Sequence, residues 1–256
     1  MEKERAKSLT ANPPTVLVTG ASQGIGRAIS LELARGGQSV LGVSRTKPEE
    51  HRDSDGFANL TWKSLDLADA VEIGAFVSGL EAPSMRVLVL SAVDYGVNRR
   101  HPAVTTSPAE WQRVVSTNCI GQCVLVSQLL PTLLRNPPAI IINISSDVAI
   151  FPAPGRAAYA ASKAGLHAML RAVAEEHPAE QLRICQLIPT FQLVTPGIRR
   201  RRAPDHDFSS YGDPSILARV VSRLAATSGN LIPAGSFLVK PDGAIEEYRE
   251  NIEFPR

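Results

Sequence analysis

Tyr159 stands four residues before Lys163 in the stretch "AAYAASKAGLHAML", and Ser146 lies thirteen residues before Tyr159. A phenol, an ammonium and a hydroxyl can together handle a proton. Alanine and leucine dominate the stretch, and apolar side chains recur at Ala164, Leu166 and Leu170, so the pattern predicts a helix. Positions four apart on a helix share one face. The Lys163 cation would then favour the Tyr159 phenolate and lower a pKa that is otherwise about 10. That would make the tyrosine a usable proton donor near neutral pH. The same spacing also fits a partly buried aromatic beside a solvated lysine, so the rest of the chain must decide.

With 256 residues, 44% hydrophobic and 20% charged, the chain suits one large α/β domain or two small ones. A formal charge of +2 makes no general case for nucleic acid or a membrane surface, which points to a small-molecule substrate. Cys119, Cys123 and Cys185 are too few and odd in number for a disulfide scaffold, and fit buried thiols in a reducing compartment. No neighbouring ligand completes a metal site around Cys119 and Cys123. The opening "MEKERAKSLTANPP" is charged and lacks an apolar core, and no run of 18 apolar residues follows. Residues 1–13 therefore read as a disordered arm on a cytoplasmic protein.

The elements that must position the trio alternate along the chain. "TVLVTG", "QSVLGVSR", "LTWKSLDL", "RVLVLSA", "AIIINISS", "RICQLIP" and "GSFLVKPDG" read as strands, seven in all. Between them fall helical patterns, including residues 69–80, a long helix from the Ser107-Pro108 cap pair through "QLLPTLL", and one near 216–226. Apolar strands alternating with helices predict a doubly wound parallel sheet covered on both faces. Ser146 would end the most apolar strand, just ahead of the Tyr159 helix.

Between the first strand and its helix lies "TGASQGIG", with Gly20, Gly24 and Gly26. Gly20 would permit a tight turn, Gly24 a close approach to a pyrophosphate, and Gly26 tight helix packing, while the helix N-terminus favours an anion. This glycine turn, together with Ser146, Tyr159-x-x-x-Lys163 and Asn118 in "STNCIG", resembles the short-chain dehydrogenase/reductase family over residues 14–243.

The resemblance implies a Rossmann-type α/β domain over 14–256 with a substrate lid at about 190–214. It implies that Tyr159 protonates a carbonyl oxygen, that Lys163 lowers its pKa and holds the nicotinamide ribose, that Ser146 donates to the substrate oxygen, and that Asn118 holds a water leading to Lys163. Ser22, Gln23, Gly24, Ile25 and Gly26 would bind the cofactor with Gly20, and Ala92, Pro189, Tyr159 and Lys163 would flank its nicotinamide. The second strand ends in Ser44 and Arg45, where an acidic residue would serve NAD, so NADP(H) is the expected cofactor. Asp66 and Leu67 match the adenine-edge position; the alternative is that Asp66 caps the following helix. By analogy the helices bearing Asn118 and Tyr159 form a homodimer or homotetramer.

Two segments depart from the family. Leu90-Ser91-Ala92-Val93 replaces Asn-Asn-Ala-Gly, and Pro189-Thr190 replaces Pro-Gly. Thr195 falls one place late, and Asp147 reads as an exposed loop residue. Arg199 to Arg202 read as a solvated lid surface, the alternative being a funnel for an anionic substrate or a carrier-protein thioester. The expectation is an NADPH-dependent carbonyl reductase. Its rivals are a cyclising or isomerising enzyme that keeps the cofactor, and an NADP-sensing regulator.

Overall fold

The structure is a computed structural model and describes residues 15–48, 58–96, 100–227 and 233–249. The arm at 1–13 lies outside the described residues. Eight strands form one sheet in the order β3-β2-β1-β4-β5-β6-β7-β8. They are β1 Val16–Thr19, β2 Val40–Ser44, β3 Leu60–Ser64, β4 Val87–Leu90, β5 Ala139–Ile144, β6 Leu182–Pro189, β7 Gly235–Val239 and β8 Ile245–Tyr248. The first seven pair in parallel, and β8 runs antiparallel to β7.

Among the described residues seven α-helices accompany the sheet: α1 Gly24–Arg35, α2 Ala70–Ser78, α3 Pro108–Val115, α4 Gly121–Leu134, α5 Ala157–Glu176, α6 Pro196–Arg199 and α7 Ser215–Ala226. The alternation of β1 sorts them. Val16 and Val18 face the side on which α1 contributes Ile29 and Leu33 and α7 contributes Val221 and Leu224. Leu17 faces the other side, with Ile73 of α2, Leu125 and Leu129 of α4, and Leu166 and Leu170 of α5. Each such side chain, fully buried, contributes about 1.5–3 kcal/mol. Both faces of the sheet are therefore covered, and the site can open only at an edge or at the strand ends.

The long helix predicted from Ser107 begins as expected, with the Ser107 hydroxyl accepting from the Glu110 N–H at 3.2 Å. It is not uniform, because Ser116–Ile120 winds as a π turn between α3 and α4. Such turns insert one residue and re-aim the side chains around it. Here the re-aimed residue is Asn118. The 108–134 stretch has the length and mean hydropathy of a membrane span, but its apolar stripe is spent on the sheet.

Two expectations need correction. The eighth strand went unpredicted because Glu246 and Glu247 interrupt its apolar pattern, which only an edge position tolerates. Asp66 does not cap α2. Asp69 does, accepting from Val71 N at 2.8 Å and Glu72 N at 3.1 Å, while Asp66 closes a local turn onto Ala68 N at 2.9 Å.

Candidate functional site: a nucleotide cleft joined to a tyrosine pocket

Strand order reverses between β1 and β4, and in such sheets the crevice at the strands' C-terminal ends is the binding position. The glycine turn lies there. Gly20 adopts φ 67°, and a Cβ at Gly26 would sit 2.3 Å from the Gly20 carbonyl oxygen, so the turn and the start of α1 pack backbone to backbone. Gln23 precedes α1 in extended conformation and provides no side-chain cap, which leaves the first N–H groups of the helix aimed at the cleft. Such an N-terminus suits a phosphate.

The cleft encloses about 310 Å³ and carries Ser22, Gln23, Gly24 and Ile25 at one end. Ser44, Arg45, Asp66 and Leu67 line the other end, and Ala92 lies between. Arg45 is exposed, and its guanidinium makes no ion pair with a described residue. The Ser44 hydroxyl is turned to the Thr46 carbonyl, 2.8 Å away. Two hydroxyls along the cavity wall, those of Ser91 and Thr117, are buried without a hydrogen-bond partner. Buried polar groups are normally paired, so this wall is built for a polar ligand.

The segment that replaces Asn-Asn-Ala-Gly is held by Thr19, which opens the glycine motif, and by Gln122, which belongs to no motif. The Thr19 hydroxyl accepts from Ser91 N at 2.9 Å and Ala92 N at 3.1 Å. Fully buried Gln122 donates to the Ala92 carbonyl at 3.2 Å and lies 3.4 Å from the Thr19 hydroxyl through its own oxygen. The chain thus fixes the end of β4 without the usual asparagines.

Ile25, Ser91, Val93, Tyr95 and Thr195 line both this cleft and a smaller cavity of about 90 Å³. In the smaller cavity meet Ser146, Tyr159 and Lys163, with Pro189 at the end of β6. Tyr159 and Lys163 are both buried, at 7% and 3% exposure. Lys163 Nζ donates to the Ile144 carbonyl at 2.9 Å, and burial brings its pKa down to about 8. The Tyr159 phenol is pushed above its ordinary value, first by burial and then by neighbouring Tyr95 and Asp147, while hydrogen bonding with Ser146 and the charge of Arg156 pull it back. The expectation that Lys163 would lower this pKa is therefore not met within the chain itself: the ammonium is engaged with the end of β5.

Ser146 lies two residues beyond β5 and donates to Asp147 Oδ1 at 2.8 Å. Asp147 is exposed, as expected, yet it touches the site through that bond. Asn118 uses its amide fully as a clamp: Oδ1 accepts from Asp94 N at 2.6 Å, and Nδ2 donates to the Asp94 carbonyl at 2.6 Å and to Ser162 Oγ at 3.1 Å.

A family model described as short chain dehydrogenase matches residues 14–205, more than half of the chain and inclusive of every one of these groups. The chain is a short-chain dehydrogenase/reductase. Among its relatives is a 3-oxoacyl-[acyl-carrier-protein] reductase FabG of Staphylococcus aureus strain Mu50, 28% identical over 235 residues, covering 85% of this chain and 93% of the relative. A metagenomic short-chain oxidoreductase solved in complex with NADP is 28% identical with TM-score 0.73, covering 91% of this chain and 99% of that one. A 3-oxoacyl-[acyl-carrier protein] reductase from Brucella melitensis, solved in complex with NAD, shares the fold at TM-score 0.74 and 22% identity over 91% of this chain and 96% of its own. As a family member the chain is an oxidoreductase that binds a nicotinamide cofactor.

In this short-chain dehydrogenase/reductase the lid is not the wholly solvated surface expected. Arg199 and Arg200 are exposed, but Arg201 and Arg202 are half-buried. The Arg201 guanidinium carbon lies 3.7 Å from the Tyr95 ring centre, and Tyr95 in turn lies 5.0 Å from Tyr159, ring to ring. Arg200 Nη2 donates to Gln23 Oε1 at 3.0 Å, tying the lid to the glycine turn. Thr195 opens the lid by accepting from Ile198 N at 3.2 Å, and its side chain would meet a Cβ at Gly24 at 3.3 Å. The arginines turn inward because Tyr95 and Tyr211 offer ring faces and a hydroxyl to their planar heads.

Cys119 and Cys123 are half-buried and Cys185 is buried, all free, and no metal-binding group of side chains occurs among the described residues.

Proposed function

We propose that this oxidoreductase reduces the carbonyl group of a small molecule with NADPH, with Tyr159 as general acid. The observation that carries the reading is the junction of the two cavities: the nucleotide cleft and the Tyr159 pocket share five lining residues, so a ligand in one abuts a ligand in the other. NADPH, bound in the cleft, supplies a hydride. The uncapped N-terminus of α1 and the Gly20–Gly26 turn would hold its pyrophosphate, and Arg45 its 2′-phosphate. The unpartnered hydroxyls of Ser91 and Ser145 would take polar groups of the cofactor and substrate.

Each residue of the pocket then has a task. Ser146 donates a hydrogen bond to the carbonyl oxygen where negative charge develops. Tyr159 delivers its proton to that oxygen. Its raised pKa in the free chain keeps the phenol protonated but makes it a weaker acid, so donation relies on the Ser146 hydrogen bond and the Arg156 charge that pull the pKa back. Lys163 holds a positive charge beneath the site, and with a pKa brought to about 8 it is itself able to pass a proton. Asn118 positions the loop carrying Tyr95 by clamping both backbone polar groups of Asp94. The assignment includes a cytoplasmic location and a homodimer or homotetramer; self-association is favoured by Ile120, the last residue of the π turn, standing 52% exposed.

The test is NADPH and NADH consumption measured across a panel of ketones, acyl thioesters, quinones and cyclic imines. The reading expects NADPH-dependent turnover of at least one carbonyl class, lost in Tyr159→Phe. Turnover of none, with NADPH still bound, would move the assignment to a cyclising enzyme or a sensor.

A further inference from the structure

A third cavity, about 680 Å³ in volume, is lined by Tyr159 and adjoins the nucleotide cleft, with which it shares Tyr95, Arg200 and Arg201. Its charge is one-sided. Arg100, Arg156, Arg200, Arg201 and Arg202 all line it, against a single carboxylate, Glu110. That carboxylate is engaged, with Oε2 3.4 Å from His101 Nε2. None of the five guanidiniums forms an ion pair with a described carboxylate. Arg200 and Arg202 spend hydrogen bonds on neutral groups, Gln23 and the Tyr211 hydroxyl. Cations gathered round one cavity repel one another, and an anion inside removes that penalty.

The cluster is placed by three separate parts of the chain, at residues 100, 156 and 200–202, so it is not one basic run alone. Arg100 is fixed where His101 N donates to the Gly155 carbonyl at 3.3 Å, and its Cβ would lie 2.9 Å from any Cβ at Gly155. Arg156 is the residue before α5 and is half-buried. Arg201 lies over the Tyr95 ring, which stacks on Tyr159. Arg202 is positioned by Tyr211, whose hydroxyl also meets His206 Nε2 at 3.2 Å. The guanidinium of Arg201 is thus separated from the proton donor by one aromatic ring. The charge of Arg156 acts on the Tyr159 phenol.

Resting on the carbonyl-reductase reading above, we propose that the substrate is itself an anion: a carbonyl compound bearing a carboxylate or phosphate a few bonds from the reducible group, recognised by Arg100, Arg156 and Arg201. The carbonyl enters beside Ser146 and Tyr159, and the anionic group occupies the arginine cavity. Planar guanidinium forks suit either oxyanion.

The experiment uses the full chain loaded with NADP+ and two matched pairs of probes, 3-oxobutanoate with its ethyl ester, and dihydroxyacetone phosphate with dihydroxyacetone. Calorimetric Kd values are taken for wild type, Arg201→Gln and Arg100→Gln, and NADPH oxidation is followed with the same four compounds. The proposal expects the charged member of at least one pair to bind roughly ten- to a hundredfold tighter than its neutral partner. That advantage should shrink in both variants and with added salt. Whichever pair shows it identifies carboxylate or phosphate as the recognised group. Equal binding of charged and neutral members in both pairs, or an advantage that survives both substitutions, would overturn it. Oxidation of NADPH by neutral compounds without any anion preference would leave carbonyl reduction standing and remove this proposal. An arginine-dependent anion preference without NADPH oxidation by any probe would uphold the anion site and remove the reductase reading.

Discussion

Replacing Lys163 by Met should make the free protein more stable while removing its activity. The ammonium is 3% exposed, and burial brings its pKa from 10.5 to about 8. At about 1.4 kcal/mol per pH unit, that displacement means the charged side chain costs the fold about 3 kcal/mol. Methionine has similar reach and no charge to desolvate, but it forfeits the 2.9 Å hydrogen bond to the Ile144 carbonyl, a loss of about 1 kcal/mol. The net gain is about 2 kcal/mol near pH 7, which for a chain of this size raises Tm by about 4–8 °C. The pH dependence has a definite sign. Because the folded-state pKa is lowered, the penalty is complete below about pH 8 and fades as pH rises toward 10.5, where the unfolded chain also loses the proton. Thermal melts of both proteins without cofactor, at about pH 7 and at about pH 10.5, measure the difference directly. A variant less stable than wild type at both values, by the same amount, would show that Lys163 stabilises the fold and would refute the desolvation argument.

Arg45→Asp should invert cofactor preference: one charge-assisted contact to the 2′-phosphate is worth about 1.5–3 kcal/mol, or ~10- to 100-fold, and Kd values for NADPH and NADH at one ionic strength read it. An unchanged ratio would remove Arg45 from phosphate recognition. Asp147→Asn and Arg156→Gln should shift the high-pH limb of carbonyl reduction in opposite directions. The Asp147 charge raises the phenol pKa and the Arg156 charge lowers it, so removing the first moves the limb to lower pH and removing the second to higher pH. A common direction in the two pH–rate profiles would contradict this. Thr19→Val should cost about 1–3 kcal/mol in denaturant unfolding, because it strips the acceptor from the Ser91 and Ala92 N–H groups. It should also weaken NADPH binding, and a variant as stable as wild type would show that these amides find another partner.

What could be read from the chain depended on how far apart the cooperating residues lie. Six of the seven parallel strands were legible as apolar runs and β3 by its Leu-Thr-Trp start, while β8 was not, because its alternation is broken by Glu246 and Glu247. Tyr159 and Lys163 announce themselves four residues apart, and the glycine turn within eight. The clamp made by Thr19 and Gln122 joins residues 103 positions apart: Thr19 opens the glycine motif, but nothing local marks Gln122 as its partner. The same holds for Arg200 on Gln23, 177 positions away. The inward turn of Arg201 depends on Tyr95, which no spacing relates to the lid. The phenol's pKa was misjudged for a similar reason: helical spacing puts Lys163 on the right face, but the Ile144 carbonyl that captures its ammonium comes from a strand 19 residues earlier.

The central claim is that Tyr159 gives up a proton during hydride transfer, and the most direct measurement compares wild type with Tyr159→Phe for both NADPH affinity and turnover of the best substrate in the carbonyl panel. The account predicts NADPH binding within a few-fold of wild type and turnover lower by the order of 10²–10⁴, the size of a lost general acid. Equal turnover in the two proteins would contradict it.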